Sequence, residues 1–231
     1  KINNSNKNNQ ASNKIKKDIG LVWRENEKIL STENFDFSKK ILYHPEKITA
    51  YKDGKRPFPT TIEIDLTNKC NHRCDFCYYA EHIGMEANKP SLDTDLLKER
   101  LIEAKKLGTK AISFTGGGEP TIHKDYLELI KFTNQIGLDV GTITNGSVIT
   151  EKNVDTIIEN LQWIRVSIAG GDKESYSKVQ GVDQFEKIVS NLKLLSKSKE
   201  KINPNFNIGV RTLVTSDNIH SLEKFAVIIK N

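Results

Sequence analysis

Three cysteines occur in the 231-residue chain, and all fall in one short stretch as Cys70, Cys74 and Cys77. An odd number cannot close a disulfide framework, and such clustering points to metal or redox chemistry in a reducing compartment. Three thiolates at C-x3-C-x2-C spacing, on one loop after a strand, can wrap an iron–sulfur cubane and ligate three of its irons. The fourth iron then stays open, as a catalytic metal site requires and a closed structural one does not. Two other chemistries use the same residues. Cys74-Asp75-Phe76-Cys77 is a possible dithiol at a helix start, which leaves Cys70 without a role. A zinc site of the three cysteines with His72 or His82 would make the chain a non-catalytic metal-binding module.

A second chemical segment is Thr115-Gly116-Gly117-Gly118-Glu119-Pro120. A phosphate loop needs Gly-Lys-Ser/Thr at its end, and Glu119-Pro120-Thr121 does not supply it. Glycines admit close approach of backbone to a ligand, and a carboxylate among them suits a cation. Thr144-Asn145-Gly146 reads as an Asn-Gly turn after a strand. His72, His82 and His123 stand near these motifs and read as surface or loop histidines, because the cysteine pattern suffices without them.

The elements that must position these residues repeat as strand, loop and amphipathic helix. Strands are expected at 61–67, 110–115, 139–144, 163–168 and 207–214. The intervening helices are marked by apolar residues at helical spacing, such as Leu97, Leu101 and Ala104 after an N-cap at Ser91 or Asp93. Leu129 and Ile130, then Ile157 and Ile158, then Ile188, Leu192 and Leu195, and finally Leu222 and Phe225 mark the others. Repeated βα units imply an α/β fold with a parallel sheet covered by helices. Several strands alternate. Glu63 and Asp65, Ser113 and Thr115, Thr142 and Thr144, Arg165 and Ser167, and Arg211 mark a polar face opposite an apolar one. A parallel sheet is rarely bare, so the polar face is expected to line a ligand-filled cavity, as in a curved barrel-like sheet.

Composition bounds the rest. Hydrophobic residues are 36%, low but adequate for a core, charged residues are 28%, ordinary for a soluble chain, and no apolar run is long enough to span a membrane. A cytoplasmic location with no membrane partner is the expectation. The net charge of +5 is concentrated in residues 1–60, which hold 13 Lys and Arg against 7 Asp and Glu. That surplus lacks interleaved aromatics and reads as a solvated tail, not a nucleic-acid surface. The expected organisation is a disordered Asn/Lys-rich leader at 1–18, a lead-in at 19–60 that packs on the core, and a core domain at 61–231.

The cysteine motif, with Phe76 before its last cysteine, and the Gly117-Gly118-Glu119 segment after the second strand resemble the radical S-adenosylmethionine (radical SAM) superfamily. The branch it is similar to often carries SPASM- or twitch-type C-terminal extensions. The resemblance covers about residues 61–231. It implies a partial (β/α)6 TIM-like barrel, and so a sixth unit beyond the five visible here, with the chain continuing past Asn231. It implies a [4Fe–4S] cluster on Cys70, Cys74 and Cys77, with S-adenosylmethionine held by Gly116, Gly117, Gly118, Glu119, Thr144, Ser167, Arg211 and Val214. Within that set Glu119 takes the ammonium and Val214 packs adenine. Arg211 either pairs with the methionine carboxylate or neutralises Glu63 or Asp65. Where the family often reads Ser-x-Asp-Gly, this chain reads Ser167-Ile168-Ala169-Gly170, so Ala169 replaces an Asp. The implied activity is reductive cleavage of S-adenosylmethionine to a 5′-deoxyadenosyl radical that abstracts hydrogen from a peptide or small-metabolite substrate. An external flavodoxin- or ferredoxin-like protein would donate the electron.

Overall fold

The computed structural model describes residues 43–85 and 88–230. The leader 1–18 and most of the lead-in 19–60 therefore lie outside the described residues. A boundary between two compact units falls after Thr49. The first described helix is α1, Pro45–Lys52.

From β1 (Thr61–Asp65) the chain alternates as the sequence predicts. It continues through α2 (Thr94–Lys106), β2 (Ala111–Thr115), α3 (Tyr126–Gln135), β3 (Asp139–Thr144) and α4 (Val154–Asn160). Then follow β4 (Trp163–Ser167), α5 (Lys173–Gln180), α6 (Phe185–Ile202), β5 (Asn207–Arg211) and α7 (Leu222–Lys230). All strand pairs are parallel, in the order β1-β2-β3-β4-β5. This is the α/β, partial-barrel arrangement expected. Among the described residues no helix is long and apolar enough to cross a membrane.

Local chemistry explains the helix ends. Asp93, not Ser91, caps α2: its carboxylate accepts from the Leu96 amide at 2.9 Å, satisfying one of the unpaired first-turn donors. Gly108 and Gly137, at φ 100 and 75, end α2 and α3 in the left-handed region. The helices bury Leu97, Leu101, Leu129, Ile130, Ile157, Ile158 and Ile188 against Ile112, Phe114, Val140, Ile164 and Val166 of the sheet. Helix α5 carries little apolar periodicity, with only Tyr176 and Val179 as buried apolar residues. It starts because Asp172 caps it, accepting from the Ser175 amide at 2.9 Å and its hydroxyl at 2.8 Å. Gly181 ends it at φ 67.

Register corrects one expectation. Ser113 pairs with Gly141, and Ile143 pairs with Arg165. Gly141 and Ile143 therefore lie on the polar face, and Thr142 and Thr144 on the helix-covered one. The threonines are tolerated there because each is hydrogen-bonded: Tyr126 Oη donates to Thr142 at 2.9 Å, and Thr144 donates to Glu119 at 2.6 Å. Gly141 serves packing, since a Cβ there would sit 2.0 Å from the Trp163 indole. Three strands also end earlier than predicted, β4 by a single residue, at Ser167. Thr67 leaves β1 to bridge Ser91, and residues beyond Arg211 enter a loop closed by Asn218. The Asn218 amide group bonds the Thr215 N–H at 2.8 Å and the Leu213 carbonyl at 2.7 Å.

The Asp172 cap yields a prediction. Lys224, at 2.7 Å, and the Ser175 donors hold its carboxyl well below the usual range. Its contribution is present above the unfolded pKa of about 3.9 and is lost as pH falls through the folded value. Asp172→Ala should cost about 1 kcal/mol at neutral pH. In urea melts the gap from wild type should narrow steadily as pH is lowered below about 4.

Candidate active site

The cysteine loop has no helix or strand of its own and is held by neighbours. At its start Cys70 N donates to Gly84 O at 2.9 Å. At its middle Arg73 N donates to Gln180 O at 3.2 Å and Asp75 N to Val179 O at 3.0 Å, so the C-terminal end of α5 supports it. Gly181 follows at closest approach, where a Cβ would lie 2.2 Å from Arg73 O. The glycine segment after β2 supports the other side. Glu119 N donates to Lys69 O at 2.8 Å, and a Cβ on Gly118 would meet Lys69 O at 2.2 Å and Thr67 O at 2.5 Å. In this structure Gly118 thus serves contact between two loops, while Gly117 faces the side chains of Asn68 and Asp65.

Cys70, Cys74 and Cys77 are each half-buried and free. Burial, followed by the neighbouring Cys70 and Cys77, pushes the Cys74 thiol up to about 12; burial also raises Cys70. Among the described residues no three His, Cys, Asp or Glu side chains gather around a single metal-ion position. The buried Tyr176 hydroxyl has no hydrogen bond, and the buried His72 ring lies within reach of the Gln180 and Gln184 side chains. His72 is thus not the surface residue expected; it is 1% exposed and edge-on to Tyr176. Burial lowers its pKa to about 4, so it is neutral. His123 is buried too, bonded to Leu92 O at 3.0 Å, while His82 is exposed.

Glu119 lies buried between the ends of β2 and β3. Its Oε1 accepts from the Thr121 amide (3.1 Å), the Thr121 hydroxyl (2.5 Å) and the Thr144 hydroxyl (2.6 Å), and its Oε2 from Asn145 N at 2.7 Å. Oε2 keeps a lone pair free of these bonds. Burial raises the Glu119 pKa, the four hydrogen bonds oppose it, and no cation contributes. A buried carboxylate without a counter-charge is costly, and a cationic ligand would offset that cost. The next residue, Asn145, donates from Nδ2 to Asn71 Oδ1 at 2.8 Å. Asn71 Nδ2 donates in turn to Ser147 Oγ at 2.7 Å, and Ser147 N to Asn145 Oδ1 at 2.9 Å. This ring fastens the cysteine loop to the end of β3.

On the polar face, a cavity of about 290 Å³ is lined by Phe76, Ile143, Arg165, Ser167, Arg211 and Leu213. Ser167 and Arg211 are neighbours in register. Arg211 forms no ion pair with Glu63 or Asp65 among the described residues; burial, then the like charge of Arg211, lowers the Arg165 pKa. The structure therefore brings Cys70, Cys74, Cys77, Gly116–Glu119 and Thr144 into one hydrogen-bonded unit, and Ser167 and Arg211 into the adjoining cavity. Val214 is not with them: it is 50% exposed, and Leu213 lines the cavity instead. Ala169 is packed, and its carbonyl accepts from Asn218 at 3.3 Å. Arg165 lies on the polar face that alternation marks, whereas Asn71, Ser147 and Gln180 were not predicted as site residues, and only the fold brings them here.

The profile of the Radical SAM superfamily matches residues 64–226, and the chain belongs to that superfamily. Its cofactors are accordingly a [4Fe–4S] cluster and S-adenosylmethionine. The chain is 31% identical over 134 residues to a probable GTP 3′,8-cyclase of Thermococcus kodakarensis, covering 58% of this chain and 42% of that one. It is 30% identical over 133 residues to a probable GTP 3′,8-cyclase of Saccharolobus islandicus, covering 57% and 42%. The chain thus spans less than half the length of these relatives. In fold it is similar to Streptococcus suis SuiB bound to S-adenosylmethionine, with TM-score 0.63, 17% identity, and 84% and 43% coverage. It is also similar to native anSMEcpe with bound AdoMet, with TM-score 0.60, 21% identity, and 74% and 48% coverage.

The donor set fits both groups. Three half-buried thiols on one loop supply the ligands a cubane takes, and Glu119 lacks a cation. Gly118 tests the loop contact. Gly118→Ala pushes a methyl into the backbone of residues 67–69, which cannot yield as a flexible side chain would. A loss of about 1–3 kcal/mol in stability and less iron retained after anaerobic reconstitution are the expected results.

Proposed function

We propose that Cys70, Cys74 and Cys77 ligate the cluster and that Glu119 receives the ammonium of S-adenosylmethionine. The observation that carries this reading is a buried, cation-free carboxylate held by backbone contact against a loop of three half-buried cysteines. Thr121, Thr144 and Asn145 N fix the Glu119 carboxylate so that its Oε2 stays available. Gly116, Gly117 and Gly118 bring backbone close beside it. Ser167 and Arg211 face the cavity next to Phe76 and take the methionine carboxylate; Val214, exposed beyond β5, is assigned to the adenine only through the family resemblance. When bound, the cluster and S-adenosylmethionine supply a 5′-deoxyadenosyl radical that abstracts hydrogen from substrate. The polar face of the sheet then orients a peptide or small-molecule substrate, and a flavodoxin- or ferredoxin-like protein supplies the electron. Relatives named as probable GTP cyclases and a fold neighbour solved with a precursor peptide support a substrate of one of these two kinds.

Anaerobically reconstituted protein should bind four irons per chain and, with dithionite, convert S-adenosylmethionine to methionine and 5′-deoxyadenosine. Cys70→Ala, Cys74→Ala and Cys77→Ala should each lose the cluster. Stoichiometric zinc with no iron or sulfide would instead identify a non-catalytic module. Glu119→Ala should retain iron but bind S-adenosylmethionine about one to two decades more weakly, the worth of a charge-assisted hydrogen bond in a dry site. Calorimetric titration that showed unchanged affinity would remove Glu119 from the binding site.

A further inference from the structure

Gln180 occupies a position that neither its residue type nor its spacing marks. It is the last residue of α5 and is 1% exposed. Its side chain bridges two parts of the site: Oε1 accepts from Cys74 Sγ at 2.9 Å, and Nε2 donates to Ser167 O at 3.0 Å. Its own backbone carbonyl accepts from Arg73 N. One residue thus touches the cysteine loop twice and the end of β4 once.

We infer that Gln180 is a positioning residue for the cluster, its amide turning to donate an N–H···S hydrogen bond to the Cys74 sulfur. The inference rests on the reading of Cys74 as a cluster ligand. A sulfur bound to iron carries no proton, so both neighbours of the amide, Cys74 Sγ and Ser167 O, are then acceptors. An amide oxygen left against an anionic sulfur in a buried site opposes like partial charges. Turning the amide brings its nitrogen against the sulfur and gives up the bond to Ser167 O. Its oxygen then needs a donor. The His72 ring, within hydrogen-bonding reach of the Gln180 and Gln184 side chains, is the donor at hand.

A hydrogen bond to a ligand sulfur stabilises the more negative, reduced cluster and raises its midpoint potential. The test is an EPR-monitored redox titration of reconstituted protein without S-adenosylmethionine, together with iron and sulfide content. Gln180→Leu should keep four irons and titrate at a lower midpoint. A Gln180 with a purely structural role would lower melting temperature or loading without moving the potential. An unchanged midpoint in Gln180→Leu protein that carries four irons overturns the inference and leaves the cysteine assignment standing. Wild-type protein that takes up no iron and sulfide overturns the cysteine assignment and the inference together. Should the leucine variant fail to fold, Gln180→Met, unbranched and of similar length, carries the same measurement.

Discussion

The site depends on a loop that cannot hold its own shape. Residues 68–80 form no helix or strand, so their backbone must find partners elsewhere or leave polar groups unpaired at a cost. The partners come from three directions: the Gly84 turn, the segment after β2, and the C-terminal end of α5. Each contact is backbone to backbone, so it fixes the path of the loop without fixing its side chains. Two glycines permit this closeness. At Gly118 and Gly181 a Cβ would fall 2.2 Å from carbonyl oxygens of the cysteine loop, well inside contact distance. The cysteines sit where they do because those two backbones carry no side chains there.

Charge makes the same arrangement expensive. Burial raises Glu119, Cys70 and Cys74 away from their charged forms, and hydrogen bonds offset only part of this. Four donors to one carboxylate are generous, yet none is a cation. Each net hydrogen bond contributes about 1 kcal/mol, against several for desolvating a charge. The polar face adds the opposite charge nearby, with Arg165 and Arg211 side by side in a cavity. On the proposed reading, a zwitterion such as the methionine moiety of S-adenosylmethionine would answer both imbalances, its ammonium toward Glu119 and its carboxylate toward Arg211.

Much of this was legible in the sequence, for reasons that differ by feature. The cysteines, Gly116–Glu119 and the alternating strands stand out because residue type and spacing carry their chemistry. Helix ends followed from Asp93, Gly108 and Gly137, whose conformations are local matters. What was not legible depended on pairing across the chain. Thr142 and Thr144 look like a polar face by alternation, but their face is set by the register with β2 and β4, and Tyr126 and Glu119 satisfy them. Helix α5 lacks a broad apolar stripe because one face packs against the cysteine loop, which is itself polar. His72 reads as a loop residue from its neighbours, and only the packing of Tyr176 and α5 over it buries it.

These omissions share a cause. Asn71, Ser147 and Gln180 join the cysteine loop to β3 and β4, over separations of 76 and 106 residues. Asparagine, serine and glutamine are common in loops, so their types announce nothing; their meaning lies in the partner. The result is a site whose reactive groups are local and whose positioning groups are not. On the proposed reading, a change at Cys74 would remove a ligand at once. A change at Asn71 or Gln180 would leave every ligand in place and alter only where, and with what hydrogen bond, the sulfur meets the metal. Residues of that second kind would set orientation and potential, and they are found by following the hydrogen bonds that cross from one strand end to the next.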